Sequence, residues 1–178
     1  MQKIILLFVL LLITLYPRHA FARVVSVPTY HAQVVFTRYD PFDIRQAPGN
    51  GITRSGLRAT IPAVNSNTPM YVAAARSTSK YFGKLYYANL RHGKARLTCF
   101  LYVIDTGNLS PNQIDIAVNG KHIKRVSPFM SWKGNLRYFK LKEIASFVRP
   151  GKKYREGSLP DPRKVEKRIK KGEFNYMI

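Results

Sequence analysis

The stretch that decides the fold is residues 96–118. It runs Arg96-Leu97-Thr98-Cys99-Phe100-Leu101-Tyr102-Val103-Ile104, turns at Asp105-Thr106-Gly107, and resumes as Gln113-Ile114-Asp115-Ile116-Ala117-Val118. The first run is apolar on both faces, which predicts a strand buried on both sides at the centre of a sheet. The second alternates, with Ile114, Ile116 and Val118 pointing one way and Asp115 and Ala117 the other, as in a strand with one face on a core. Upstream, residues 32–39 (AQVVFTRY), 70–75 (MYVAAA) and 85–88 (LYYA) read as further strands, and residues 40–56 as a long loop rich in turn formers. Downstream, Asn119-Gly120 has the chemistry of a two-residue hairpin turn, so residues 121–126 are expected to return as a partner strand. Residues 136–141 (LRYFKL) would close the sheet. Residues 142–148 (KEIASFV) are expected to form a helical turn or two, stopped by Pro150-Gly151. Short strands between turn signals make this an all-β chain.

The chain ends set the boundaries of the domain. Residues 1–22 read as a signal peptide: Lys3, an apolar run from Ile4 to Tyr16, and Ala20-Phe21-Ala22 as a small-x-small cleavage site. The alternative, a membrane anchor, needs an apolar run of ~20 residues. Secreted or periplasmic localisation follows from the signal. Residues 23–150 form one domain, long enough to bury roughly two-thirds of its unfolded surface. Residues 151–178 are a charged tail, expected as a partly disordered surface appendage. Within it Asp161 is placed to cap a short helix with Pro162 in its first turn, and Val165 and Ile169 would share a face of that helix. Dibasic pairs such as Lys170-Lys171 are either a solvated face or processing sites.

With 30 Lys and Arg against nine Asp and Glu, the formal charge is +21. Such a field favours an anionic partner: a wall polymer, an acidic membrane surface met through the basic tail, or nucleic acid. Charge does not choose among them, and export favours the first two; no dedicated nucleic-acid motif is present. Cys99 is the one cysteine, so no internal disulfide can form, and it reads as a small buried hydrophobe rather than a nucleophile. His31, His92 and His122 fit no metal-ligand spacing. The sequence contains no phosphate-binding Gly-rich loop and no Ser/His/Asp arrangement, so neither metal nor cofactor is expected.

Chemistry concentrates on the rare acids. Asp105 ends the most apolar strand and Asp115 sits inside the next, so adjacent strand ends would bring two carboxylates together. Burial and a like-charged neighbour raise a carboxyl pKa, which a general acid needs. The alternative is that Asp105 simply caps its own turn. Tyr81, Tyr86, Tyr87 and Trp132 either fill the core or stack on sugar rings.

Segments in order resemble the three-aspartate domain, the double-psi β-barrel of membrane-bound lytic transglycosylase A and resuscitation-type wall enzymes, kin to rare lipoprotein A, barwin and expansin barrels. Thr37-Arg38-Tyr39 resembles its opening Thr-x-Tyr strand, and Thr53-Arg54-Ser55-Gly56 its Thr-x-Ser-Gly. Val72-Ala73-Ala74-Ala75 resembles the Val-Ala strand, and Phe82-Gly83-Lys84-Leu85-Tyr86 the turn and strand after it. Tyr102-Val103-Ile104-Asp105-Thr106-Gly107 resembles the apolar-Asp-Thr-Gly element, and Gln113-Ile114-Asp115-Ile116 the closing Ile-Asp element. The resemblance implies a six-stranded double-psi β-barrel with a long N-terminal loop and a basic C-terminal tail bearing a short helix. It further implies a peptidoglycan lytic transglycosylase, with Asp105 as general acid/base and Asp115 as supporting carboxylate. Thr37, Tyr39, Thr53, Ser55, Gly56, Thr106 and Gly107 would bind substrate. The sequence departs from the pattern where Arg76 follows the Val-Ala strand in place of the first aspartate, where Asn108 replaces a glycine, and where Pro111-Asn112 replaces a Lys-Gly. Arg76 in the groove would suit an anionic ligand. Three functions are therefore open: a glycan-cleaving enzyme, a non-catalytic barrel that binds an anionic wall polymer or polysaccharide, and a basic secreted effector.

Overall fold

The computed structural model describes residues 30–47, 50–59, 68–131, 135, 137–148 and 158–176. The proposed signal peptide, Trp132 and the dibasic pair Lys152-Lys153 lie outside them. Six strands, β1 (Tyr30–Tyr39), β2 (Met70–Ala75), β3 (Lys84–His92), β4 (Ala95–Thr106), β5 (Gln113–Ala117) and β6 (Arg137–Ser146), close into a barrel in the order β1-β5-β2-β4-β3-β6. Two neighbouring pairs, β1–β5 and β2–β4, are parallel, and the rest are antiparallel. This mixed, closed arrangement is compatible with a double-psi barrel. Closure gives every strand a partner on both sides; the tip of the β3–β4 hairpin, past Asn89 and before Phe100, is paired solely within itself. Among the described residues no helix is long and apolar enough to cross a membrane.

Period-two alternation sorts the side chains into two cores. Val34 and Phe36 of β1, Tyr71 and Ala73 of β2, Leu101 and Val103 of β4, Ile114 and Ile116 of β5, and Phe139 and Leu141 of β6 fill the barrel interior. Cys99 lies there too, fully buried, and burial pushes its thiol up to about 12. The opposite faces of β2 and β4, with Val72, Phe100, Tyr102 and Ile104, build a second core on the outer wall.

That second core is covered by the C-terminal segment. Helix α2 (Pro162–Lys170) starts as expected: Asp161 accepts the Arg163 N–H at 2.8 Å and Pro162 stands in the first turn. Its Val165 and Ile169 are buried, together with Leu159 and Phe174, against the outer wall. Tyr102 Oη donates to the Pro160 carbonyl at 2.8 Å, and Tyr176 packs on Phe100 and Tyr87. Residues 158–176 are thus an integral layer and not the expected surface appendage. The apolar face of α2 finds a ready partner in the wide apolar wall of β4.

Two other expectations are corrected. Residues 121–126 do not return as a strand; they form helix α1 (Lys121–Val126), followed by a 3-10 turn at Ser127–Phe129. Gly120 takes φ 50, ψ −130, which turns the chain into the helix instead of back along β5. Val126 and Phe129 then plug the barrel interior. Residues 142–148 are not helical either; β6 continues to Ser146. The β3/β6 register shifts between Leu85 and Tyr86, where Glu143 pairs with Tyr86 and Ala145 with Leu85, leaving Ile144 as an extra residue. The bulge breaks the period of two and gives the segment a helix-like apolar pattern.

Candidate functional site

Four strands bring one row of residues together on the outer wall. Thr37 of β1 pairs with Asp115 of β5, Asp115 with Ala74 of β2, and Ala74 with Asp105 of β4. The β2/β4 register shifts between Ala73 and Ala74: Ala73 pairs with Val103 and Ala74 with Asp105, so Ile104 is the inserted residue. This bulge turns Asp105 onto the wall shared with Asp115. Ala74 contributes only a methyl between the two carboxylates, and the charge of Asp105 is felt at Asp115.

Asp105 is 9% exposed and fixed by three donors. Tyr39 Oη donates to Oδ2 at 2.7 Å, while the backbone N–H groups of Arg54 and Thr106 both donate to Oδ1 at 2.8 Å. An ionised carboxylate accepts all three bonds without losing an acceptor site to a proton. Burial, and then the charge and hydrogen bond of Asp105, push the Tyr39 phenol far above its usual range, so it remains a donor. Asp105 does bond its own turn through Thr106, but it also ties β1 and the 50–59 loop to that turn, which a simple cap does not.

Asp115 has a different setting. Thr37 Oγ1 donates to its Oδ1 at 2.7 Å, and Gln113 Nε2 donates to Thr37 Oγ1 at 2.9 Å. Burial raises its pKa to about 6; the Thr37 hydrogen bond opposes that rise and the nearby Asp105 charge adds to it. The pair therefore combines a firmly hydrogen-bonded carboxylate with a carboxyl that exchanges its proton near neutrality.

The loop of residues 50–59 supplies one wall. Thr53 N donates to the Leu57 carbonyl at 2.8 Å, and Gly56 N to the Thr53 carbonyl at 2.9 Å with Gly56 at φ 76, a conformation suited to glycine. The Thr53 and Ser55 hydroxyls are 2.7 Å apart and both residues are buried. These residues shape the turn that aims the Arg54 N–H at Asp105. Thr106 and Gly107 are half-buried beside the carboxylate. Arg76 is exposed one residue past β2, opening a turn closed by Ser79 N to the Arg76 carbonyl at 2.8 Å.

The aromatics named for stacking are placed otherwise. Tyr81 and Tyr86 are buried in the interior, and Tyr87 is half-buried against Phe100 and Tyr176. Three contributors had no signature as site residues: the Arg54 backbone, Ala74 and Gln113. Of the small run Ala73-Ala74-Ala75 only Ala74 lies on this wall, since Ala73 and Ala75 pack in the interior, so the run was a partial signal at best. Among the described residues no group of three or more His, Cys, Asp or Glu is placed to hold a metal. No family model, curated protein or solved structure matches the chain.

Proposed function

We propose that the Thr37–Asp115–Ala74–Asp105 row is the catalytic centre of an exported, three-aspartate-type barrel that cleaves peptidoglycan glycan strands by lytic transglycosylation. The observation that carries this reading is the shared neighbour: two carboxyl groups paired to the same alanine, one held by three donors and one raised to about 6. The resemblance places the acid on Asp105. The three donors on Asp105 and the raised value of Asp115 support a reading with these roles exchanged, in which Asp115 carries the transferable proton and Asp105 is the supporting carboxylate.

In this mechanism Asp115 gives its proton to the glycosidic oxygen as the C1–O bond breaks, and the Asp105 carboxylate stabilises the positive charge that develops at C1. The muramyl 6-hydroxyl attacks C1, forms the C1–O6 bond and returns its proton to Asp115. The product is a 1,6-anhydro ring, no water is consumed, and the enzyme is regenerated. One transferable proton suffices because the substrate supplies its own nucleophile, unlike the paired-carboxylate hydrolases.

The test is mass spectrometry of soluble products released from peptidoglycan by the purified chain, beside Asp105→Asn and Asp115→Asn. Anhydro-muropeptides from the parent and none from either variant are expected. Hydrated muropeptides would replace this mechanism by hydrolysis. A chain that pellets with the polymer and releases nothing would favour a second reading, a binding barrel, which the cationic Arg76 at the end of β2 supports.

A further inference from the structure

The β3–β4 hairpin reads Arg91-His92-Gly93-Lys94-Ala95-Arg96, and Arg91, His92, Lys94 and Arg96 are all exposed. Arg91 stands directly opposite Arg96. Like charges opposed across antiparallel strands repel. The ion pairs among the described residues join Arg45 to Asp43, Lys84 to Glu143, Arg168 to Glu173 and Lys170 to Glu166, all away from this hairpin. Arg96 Nη1 donates instead to the carbonyls of Gly93 at 2.7 Å and Ala95 at 3.0 Å, and Arg91 Nε to Asn89 Oδ1 at 3.4 Å. These bonds orient the guanidinium groups, and among the described residues no carboxylate is paired with them.

The neighbouring rows extend the surface. Asn89 pairs with Thr98 on one side and with the exposed Lys140 on the other. Further along β6, Tyr138 faces outward, 66% exposed, and its hydroxyl accepts from the Gln33 amide. The β3/β6 pairing ends at Asn89–Lys140, and Arg91 and Tyr138 each lie two residues past that last pair, on the outward face of their strands.

A cluster of cations with no carboxylate partner among the described residues favours an anion. The amides and hydroxyl of Gln33, Asn89 and Thr98, interleaved with them, suit a ligand rich in hydroxyl groups. Tyr138 offers one stacking platform, whereas single-stranded nucleic acid is held on successive aromatic rings. The Gly93-Lys94 tip has no apolar side chain to enter a bilayer. We infer that the outer face of the β3–β4 hairpin and β6 is a second binding site, for an anionic polysaccharide. At about 3.3 Å per residue, Arg96 lies roughly 30 Å along β4 from Asp105, so this hold is separate from the carboxylate row. The choice of a polysaccharide rests on the glycan reading of that row; the chemistry of the hairpin uses neither aspartate.

The experiment is titration of the full chain with polygalacturonate, with dextran as the neutral control and oligo(dT) as the nucleic-acid control. The combined variant Arg91→Gln, Lys94→Gln, Arg96→Gln is expected to bind polygalacturonate about tenfold more weakly or worse. Tyr138→Ala is expected to weaken it as well, with the circular dichroism of both variants unchanged. Unchanged affinity in the combined variant overturns the inference. So does tighter binding of oligo(dT) than of polygalacturonate, which would make the face a nucleic-acid site. If the parent releases no muropeptides yet binds polygalacturonate through Arg91, Lys94 and Arg96, the cleavage reading falls and this site stands.

Discussion

Asp115 carries a charge-state cost that the chain can be made to reveal. Its ordinary value is 3.8 and its value in the folded protein is about 6, so the native state binds the proton more tightly than the unfolded chain. Stability from this group is full below about pH 4 and is lost as pH rises through about 6. Asp115→Asn keeps an oxygen for the Thr37 hydroxyl and removes the buried charge. We expect the variant to be more stable than the parent by about 1–3 kcal/mol above pH 7, with the difference vanishing near pH 4, as read from urea unfolding at each pH. Tyr39→Phe acts in the opposite direction. It withdraws a donor from a nearly buried carboxylate and should cost about 1–3 kcal/mol at neutral pH, measured the same way. At this scale the site was half legible. Asp105 and Asp115 stand out as scarce acids against apolar strands, and Thr37 and Tyr39 come from the resemblance. The Arg54 N–H and the bulge at Ile104 could not be read, because a backbone donor and a register shift have no side-chain signature.

At the scale of elements, strands with clean periodicity were readable and irregular ones were not. The doubly apolar β4 and the alternating β5 appear where their patterns place them. Helix α1 was hidden behind Asn119-Gly120, a dipeptide suited to a hairpin whose glycine here adopts a different left-handed geometry. The end of β6 was hidden by its own bulge, which moves Ile144 out of step. The cap of α2 was visible in Asp161-Pro162, but not its docking, since the wall it covers belongs to strands far away in sequence. That docking makes a sharp prediction. Ile169→Ala removes a fully buried side chain from the outer core and should destabilise the whole barrel by about 2–4 kcal/mol, measured by denaturant unfolding. A dispensable tail would show a change below about 0.5 kcal/mol.

The whole molecule is held by pairings between distant segments. Cys99, inside the barrel with its thiol pushed up to about 12, is shielded from both solvent and ionisation. A thiol reagent should therefore label it only as fast as the barrel opens globally, with labelling and loss of secondary structure sharing one denaturant midpoint. Labelling well before that midpoint would show that the β3–β4 pair separates locally. The bonds that define the carboxylate row are equally long-range: Thr37 to Asp115 spans 78 positions and Tyr39 to Asp105 spans 66. The parallel pairs β1–β5 and β2–β4 cannot form by local zipping, so contacts of this kind arise late and slowly in folding. Until those strands join, the two aspartates are ordinary solvated carboxylates on separate stretches of chain. The raised titration of Asp115 then becomes a built-in clock for the joining of β1, β5, β2 and β4, silent while individual strands and helices form.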